Sequence, residues 1–352
     1  MFRFLLTVLS IFLVFTGSYC QNLLIDSLKN NLREVESDKK LDVIEKIYTE
    51  YQKSEPDSAL RYAYDYMQIA NELKDSAEIG RALNFIGSHY QARGEYDTCR
   101  YFYNRALNIH ESIKNEKGKA MTLSNLGVLY RKTGNFDQAL SYQLQSLNIR
   151  EQLDDVAGMA NNMHNIGGIY YYMSNYQKAV EYFSNARILN FRIENNLQVA
   201  KTDNNLGSVF MEMGLIDSSL HHYQLALEYF EKHGYEIYAA IIQDNIGTIY
   251  GKTGNYSEAL KYHQSTLSIH KKNNNLERLA HTYNNIGVLF MKMKKDKQAE
   301  KYLNQGLKMA RKIDNKELIY ELLHSLYENA EKTGRFRVAL DYFIRHAAMK
   351  DT

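Results

Sequence analysis

Apolar residues along this chain recur at steps of three and four, the spacing that gathers side chains on one face of an α-helix. Leu126, Gly127 and, three residues on, Tyr130 mark the packed face of one helix. Ala139, Tyr142 and Leu147 mark the face of a second, and the small residue lets the two helices approach closely. The chain has a single proline, so almost nothing breaks the helical pattern. The predicted unit is a helical hairpin.

That unit repeats. Asn125-Leu126-Gly127 returns as Asn165-Ile166-Gly167, Asn205-Leu206-Gly207, Asn245-Ile246-Gly247 and Asn285-Ile286-Gly287, forty residues apart each time. Ile86-Gly87 keeps the register with Phe85 in place of asparagine, and Leu326-Tyr327 keeps it with tyrosine in place of glycine. Aromatics follow at Tyr90, Tyr130, Tyr170, Phe210, Tyr250 and Phe290. In the second helix a small residue recurs at Ala59, Cys99, Ala139, Ala179, Ser219, Ala259, Ala299 and Ala339. Three positions later comes Tyr62, Phe102, Tyr142, Tyr182, Tyr262, Tyr302 or Tyr342, with His222 the exception, and Leu107, Leu147, Leu227, Leu267 and Leu307 complete the stripe.

Glycine at 94, 134, 214, 254 and 334 predicts the positive φ that ends a helix, with Ser174 and Lys294 in its place twice. Between repeats stand Asp75, Asn115, Asp155, Asn195, Asn275 and Asn315, expected to take left-handed backbone. Asp97, Asp137, Asp217 and Ser257 suit the first turn of the second helices.

These residues resemble the tetratricopeptide repeat (TPR), whose pattern asks for leucine-glycine, tyrosine, then alanine, an aromatic and alanine at fixed offsets. The resemblance covers residues 40–352 as eight units, with residues 21–39 expected to cap the N-terminal end. It implies an all-α fold, a right-handed α-α superhelix of about eight hairpins with a concave face lined by the first helices. The period exceeds the usual thirty-four or so by about six residues, which is similar to the long-helix subtype of kinesin light chains. The family's groove positions map onto Arg81, Asn84, Ser88, Asn125, Arg131, Asn161, His164, Asn165, Tyr171, Lys201, Asn204, Asn205, Asn245, Asn284 and Asn285.

The asparagine at the head of each motif admits two readings. A ladder of Asn125, Asn165, Asn205, Asn245 and Asn285 could hold a peptide backbone, since an amide donates and accepts at once. Each could instead bond the neighbouring repeat and stiffen the stack. The lysine-rich carboxylate clamp of chaperone-binding members has no counterpart beyond scattered Arg81 and Lys201.

Composition narrows the function. Arg3, the apolar run Phe4 to Phe15 and the mostly small residues Thr16 to Cys20 read as a secretory signal, giving residues 1–20 as a leader and Gln21 as the mature N-terminus. The rival reading, lipidation of Cys20, is disfavoured by Tyr19 before it and is the one route to membrane attachment within the chain. The expected location is the periplasm or outside the cell. Loss of Arg3 leaves a net charge near +1, too small a field to suggest nucleic acid. Cys99 then stands alone at an alanine position, so no internal disulfide can form.

No phosphate loop, metal-protease motif or nucleophile elbow occurs, and no cofactor is implied. His221-His222 and the pair His263 and His270 have no partnering carboxylate at metal spacing, so no metal site is expected. Asp203 and Asp244 could serve a hydrolase, yet nothing in the sequence pairs them with a base or nucleophile, so no catalytic residue is expected. The expected partner is a protein or peptide, bound by an exported scaffold. The alternative resembles the sensor portions of TPR-containing two-component kinases. Val338, Leu340, Phe343 and Ile344 lie on a last helix with no polar helix to cover it, which predicts either further chain beyond Thr352 or a homodimer through that helix.

Overall fold

A computed structural model describes residues 24–33 and 35–348, and among them every regular element is an α-helix. Residues 24–33 form α1 and Ser37–Ser54 α2. There follow α3 (Pro56–Glu72), α4 (Ser76–Ala92), α5 (Tyr96–Ser112), α6 (Glu116–Lys132), α7 (Phe136–Gln152) and α8 (Val156–Tyr172). The rest are α9 (Tyr176–Arg192), α10 (Asn196–Glu212), α11 (Ile216–Lys232), α12 (Glu236–Lys252), α13 (Tyr256–Lys272), α14 (Leu276–Lys292), α15 (Asp296–Lys312), α16 (Lys316–Lys332) and α17 (Phe336–Ala348). Even-numbered helices from α2 onward are the first, or A, helices of the repeats; odd-numbered ones from α3 are the B helices. The leader falls outside the described residues.

From α3 onward every turn carries one left-handed residue. After α4 the N–H of Gly94 returns to the Gln91 carbonyl and that of Glu95 to the Tyr90 carbonyl, the pair of bonds that needs a left-handed residue between them. Gly94 supplies it at φ 77°. Lys114, Asp154, Glu194 and Asn274 supply it between repeats without glycine, at φ 49–58°. The expectation for Asp75, Asn115, Asp155, Asn195, Asn275 and Asn315 is therefore corrected by one position. All six sit at ordinary negative φ as N-cap residues, and Asp75, Asn115, Asp155, Asn275 and Asn315 accept from the Glu78, Gly118, Gly158, Arg278 and Leu318 N–H groups. Asn135, Asn175 and Asn255 cap B helices in the same way.

The helices form two compact units that divide between Met173 and Ser174. In the first, Ile25 of α1 is buried with Ile44, Ile47, Tyr62 and Tyr66, and Leu28 and Leu32 pack on the same cluster. Helix α1 thus covers the apolar side of the first hairpin. Cys99, Tyr103, Leu126 and Leu129 form a second cluster. In the other unit, Tyr223, Phe230, Ile242 and Ile246 make one cluster, and Ile286, Leu303, Leu307, Leu322 and Leu326 another. Each such side chain contributes about 1.5–3 kcal/mol by leaving water.

The aromatic columns read from the sequence are face-to-face pairs within hairpins. Tyr90 stacks on Phe102 at 5.5 Å, Tyr130 on Tyr142 at 5.4 Å, and Tyr250 on Tyr262 at 5.7 Å between ring centroids. His222 takes the tyrosine's place, stacking on Phe210 at 5.3 Å. The motif glycine has a steric reason: a Cβ on Gly207 would stand 2.7 Å from the Tyr223 ring, and one on Gly287 2.6 Å from Leu303.

Candidate functional site

The A helices carry the polar positions singled out above. Asn125 and Asn245 are half-buried, and each donates one N–H to the preceding repeat: Asn125 Nδ2 to Asn84 Oδ1 at 3.2 Å, Asn245 Nδ2 to Asn204 Oδ1 at 3.4 Å. Asn204 in turn donates to Asn205 Oδ1 at 3.3 Å. Asn165 and Asn285, equally half-buried, make no hydrogen bond among the described residues. Both readings of the ladder are thus represented: some amides tie repeats together, while others keep donors and acceptors open.

Other predicted groove residues sort by burial. Asn84 is a correction, for it lies inside, donating to Thr122 Oγ1 at 2.8 Å, and offers nothing to a ligand. Ser88 bonds Tyr103 OH at 3.1 Å. Arg81 is half-exposed and paired with Glu45 at 3.0 Å. Arg131 lies over the Tyr172 ring at 5.5 Å, with Tyr171 edge-on to that ring at 5.7 Å, and Lys201 lies over Tyr238 at 5.5 Å. Asn161 is exposed and His164 half-buried. Asn284 is half-buried, its Oδ1 shielded from solvent without a partner.

Two acids that looked unpartnered in the sequence have partners. Asp244 accepts from His263 Nδ1 at 2.9 Å and Thr266 at 2.7 Å on Oδ1, and from His270 Nε2 at 2.9 Å and Thr282 at 3.0 Å on Oδ2. Burial pushes its carboxyl up, but the bonds from His263 and His270, the His263 charge and Thr266 more than offset that and hold it below the usual carboxylate range. Asp203 accepts from Arg187 Nε at 2.8 Å and His222 Nδ1 at 2.7 Å, both on Oδ1. The signal was available: polar residues nineteen apart in an A and the following B helix, 203 with 222 and 244 with 263. Among the described residues no group of histidines, cysteines and acids has metal-holding geometry.

The end of the second unit differs. On α17, Phe336, Leu340, Phe343 and Ile344 are exposed, at steps that place them on one side of the helix. No described helix is long and apolar enough to cross a membrane.

Alternating helices joined by near-identical turns, with half-buried amides recurring on the A helices of each unit, define a helical-repeat protein. The comparisons agree. The model described as "Tetratricopeptide repeat" matches residues 78–152, 118–187 and 198–272, and a second model of that description matches 280–313. The "SusR N-terminal TPR domain" model matches residues 21–96. The chain belongs to the tetratricopeptide-repeat family.

Solved structures share the fold at low identity. A signal transduction ATPase with numerous domains, carrying a tetratricopeptide repeat sensor, from Pyrococcus horikoshii is 17% identical with a TM-score of 0.71, over 92% of this chain and 49% of that one. Aspartyl phosphate phosphatase F from Bacillus subtilis is 13% identical with a TM-score of 0.66, over 93% of each chain. A Rap protein complexed with competence and sporulation factor is 16% identical with a TM-score of 0.63, over 95% of this chain and 98% of that one. No curated protein matches in sequence.

Proposed function

We propose that this chain is an exported scaffold that acts by binding, not catalysis, and holds an extended peptide or protein segment along its A helices. The observation that carries the reading is the half-buried amides of Asn165 and Asn285, which make no hydrogen bond among the described residues, with Asn125 and Asn245 at the same repeat position donating one N–H each. An extended backbone presents alternating N–H and C=O groups that such amides can pair without selecting side chains. Support also comes from a structural neighbour, a Rap protein, complexed with competence and sporulation factor.

Photo-crosslinkers at Asn165 and Asn285 in the native host test the idea. One dominant protein, captured from both positions and not from Asp97 on a B helix, is the expected result; equal capture from all three would sink it. Export is tested by the mature N-terminus, expected at Gln21. A chain retaining Met1 would overturn it, and a lipid mass on Cys20 would replace free export with membrane anchoring.

The exposed apolar side of α17 favours a second reading, a periplasmic input module of a signalling system that pairs with another copy or a further domain there. Light scattering of the full-length protein at micromolar concentration separates the two: a monomer argues against self-pairing, and Leu340→Asp is expected to dissociate any dimer.

A further inference from the structure

Three residues of the second unit break the repeat pattern and come together. Arg187 stands where the other repeats have Leu107, Leu147, Leu227, Leu267 and Leu307. Asp203 is the charged residue at a position held elsewhere by Leu83, Leu123, Met163, Gln243, Tyr283 and Leu323, and His222 replaces the packing tyrosine. Local rules broken together at one place point to a function that the fold tolerates at some cost in stability.

The geometry differs from that of the Asp244 cluster. Asp244 has both oxygens engaged by buried donors. At Asp203, which is 2% exposed, both protein donors fall on Oδ1 and Oδ2 has no protein partner. A cavity of about 430 Å³ opens beside it, walled by α9 and α11 and floored by the side of α10 that carries Val199, Ala200 and Asp203. Asp203 holds Arg187 through Nε alone, so the two Nη groups of the guanidinium are free of protein partners on the cavity wall. Leu225 and Phe191, the latter 66% exposed, give the cavity apolar sides, and on α11 Lys232 stands as a second cation with the Glu228 carboxylate one turn before it.

We infer that this cavity is a binding site for a carboxylate attached to an apolar body, the acid on the Arg187 fork and the body against Val199, Leu225 and Phe191. A guanidinium fixed at Nε presents its Nη edge in the fork geometry that pairs two carboxylate oxygens. Asp203 and His222 are positioning residues for that fork. The site lies on the α10 side opposite Lys201 and Asn205, so it is independent of the A-helix reading.

The test uses the full-length protein and N-acetyl-L-phenylalanine as probe, followed by calorimetry. Its amide, N-acetyl-L-phenylalaninamide, is the control. The acid is expected to bind, with the amide and Arg187→Gln each at least about tenfold weaker, or about 1.4 kcal/mol. Because Arg187→Gln strips a buried acid of its partner and can unfold the unit, Leu225→Trp, which fills the cavity, is the second variant and is expected to abolish binding. An acetylated tetrapeptide ending in phenylalanine distinguishes the sources: tighter binding than the free acid assigns the site to a chain terminus, exclusion assigns it to a small free acid. Acid and amide binding alike, or wild-type affinity in Leu225→Trp, would leave a structural ion pair only and overturn the proposal.

Discussion

Replacing Asp244 with alanine should damage the second unit more than any surface change. The side chain accepts four hydrogen bonds from α13 and α14, and all four donors are 1% exposed or less. Thr266 and Thr282 keep backbone acceptors, the His263 and Arg278 carbonyls, both at 2.9 Å. His263 and His270 lose their acceptor outright. Two buried donors left unpaired cost about 1–3 kcal/mol each, and breaking a buried charged cluster about 3–5 kcal/mol in total. A loss of about 3 kcal/mol lowers the melting temperature of a unit this size by about 6–12 °C. Circular dichroism reads the drop, and hydrogen exchange should place the lost protection in α12 to α14, because repeats couple chiefly to their neighbours. A fall of less than about 2 °C, with exchange unchanged, would refute the reasoning that this cluster holds three helices together. The pH arm has a definite sign. A carboxyl whose folded pKa lies below its unfolded value of about 4 stabilises above that pH and loses the contribution as pH falls through the folded value. The gap between wild type and Asp244→Asn should therefore close on acidification.

Four further outcomes follow from the same structure. Gly118→Ala should destabilise by about 1–3 kcal/mol despite alanine's better helix propensity, since its Cβ would clash with the His110 ring, and the ring cannot swing toward Gly80, where there is room for a hydrogen but a Cβ would stand 2.6 Å away; urea titration reads the sign, and His110→Ala in the same chain should restore much of the loss. Burial holds His110 below the usual imidazole range, so the unfolded chain binds its proton first and stability should fall as pH drops below about 6.5, less steeply in His110→Leu. Asn165→Ala and Asn285→Ala should leave stability within about 0.5 kcal/mol while weakening capture of the partner. Cys99, fully buried with its thiol pushed up to about 12 by burial, should resist thiol reagents until the chain unfolds.

The repeat and its packed faces were legible because they depend on period alone. Tyr130 had to face Tyr142, and Ala139 had to be buried, in any chain with this spacing. Which polar residues point inward was not legible, because adjacent positions on a helix differ by about 100°. Asn204 and Asn205 look alike in sequence, as do Asn84 and Asn125, yet Asn84 is sealed against Thr122 while Asn125 reaches the surface. The partners of Asp203 and Asp244 lie sixteen to thirty-eight residues away, offsets set by how A and B helices nest and not by the period. The left-handed turn residue was misplaced for a related reason. Asn and Asp tolerate that backbone, but at 115 and 155 the N–H groups of the next helix claim their side chains first.

The seventeen-residue helices and three-residue turns give every step from α4 to α16 the same length, twenty residues. A gene built this way can grow or shrink by copying a forty-residue block, because a duplicated block arrives already in phase with its neighbours. Single-residue insertions are barred, since each would rotate the next helix's packed face by about 100°. Junctions add a finer restriction. His110 sits against Gly118, Arg150 against Gly158, and Phe230 stacks on Tyr238 at 4.9 Å, so the last turn of each B helix is matched to the first turn of the helix after it. Blocks cut at the turns would exchange a histidine facing a glycine for one facing a tyrosine. A block that runs from the middle of one hairpin to the middle of the next keeps these B-to-A junctions intact, and the A-to-B pairs of the hairpin where it is cut, such as Gly207 with Tyr223, become the ones that must match.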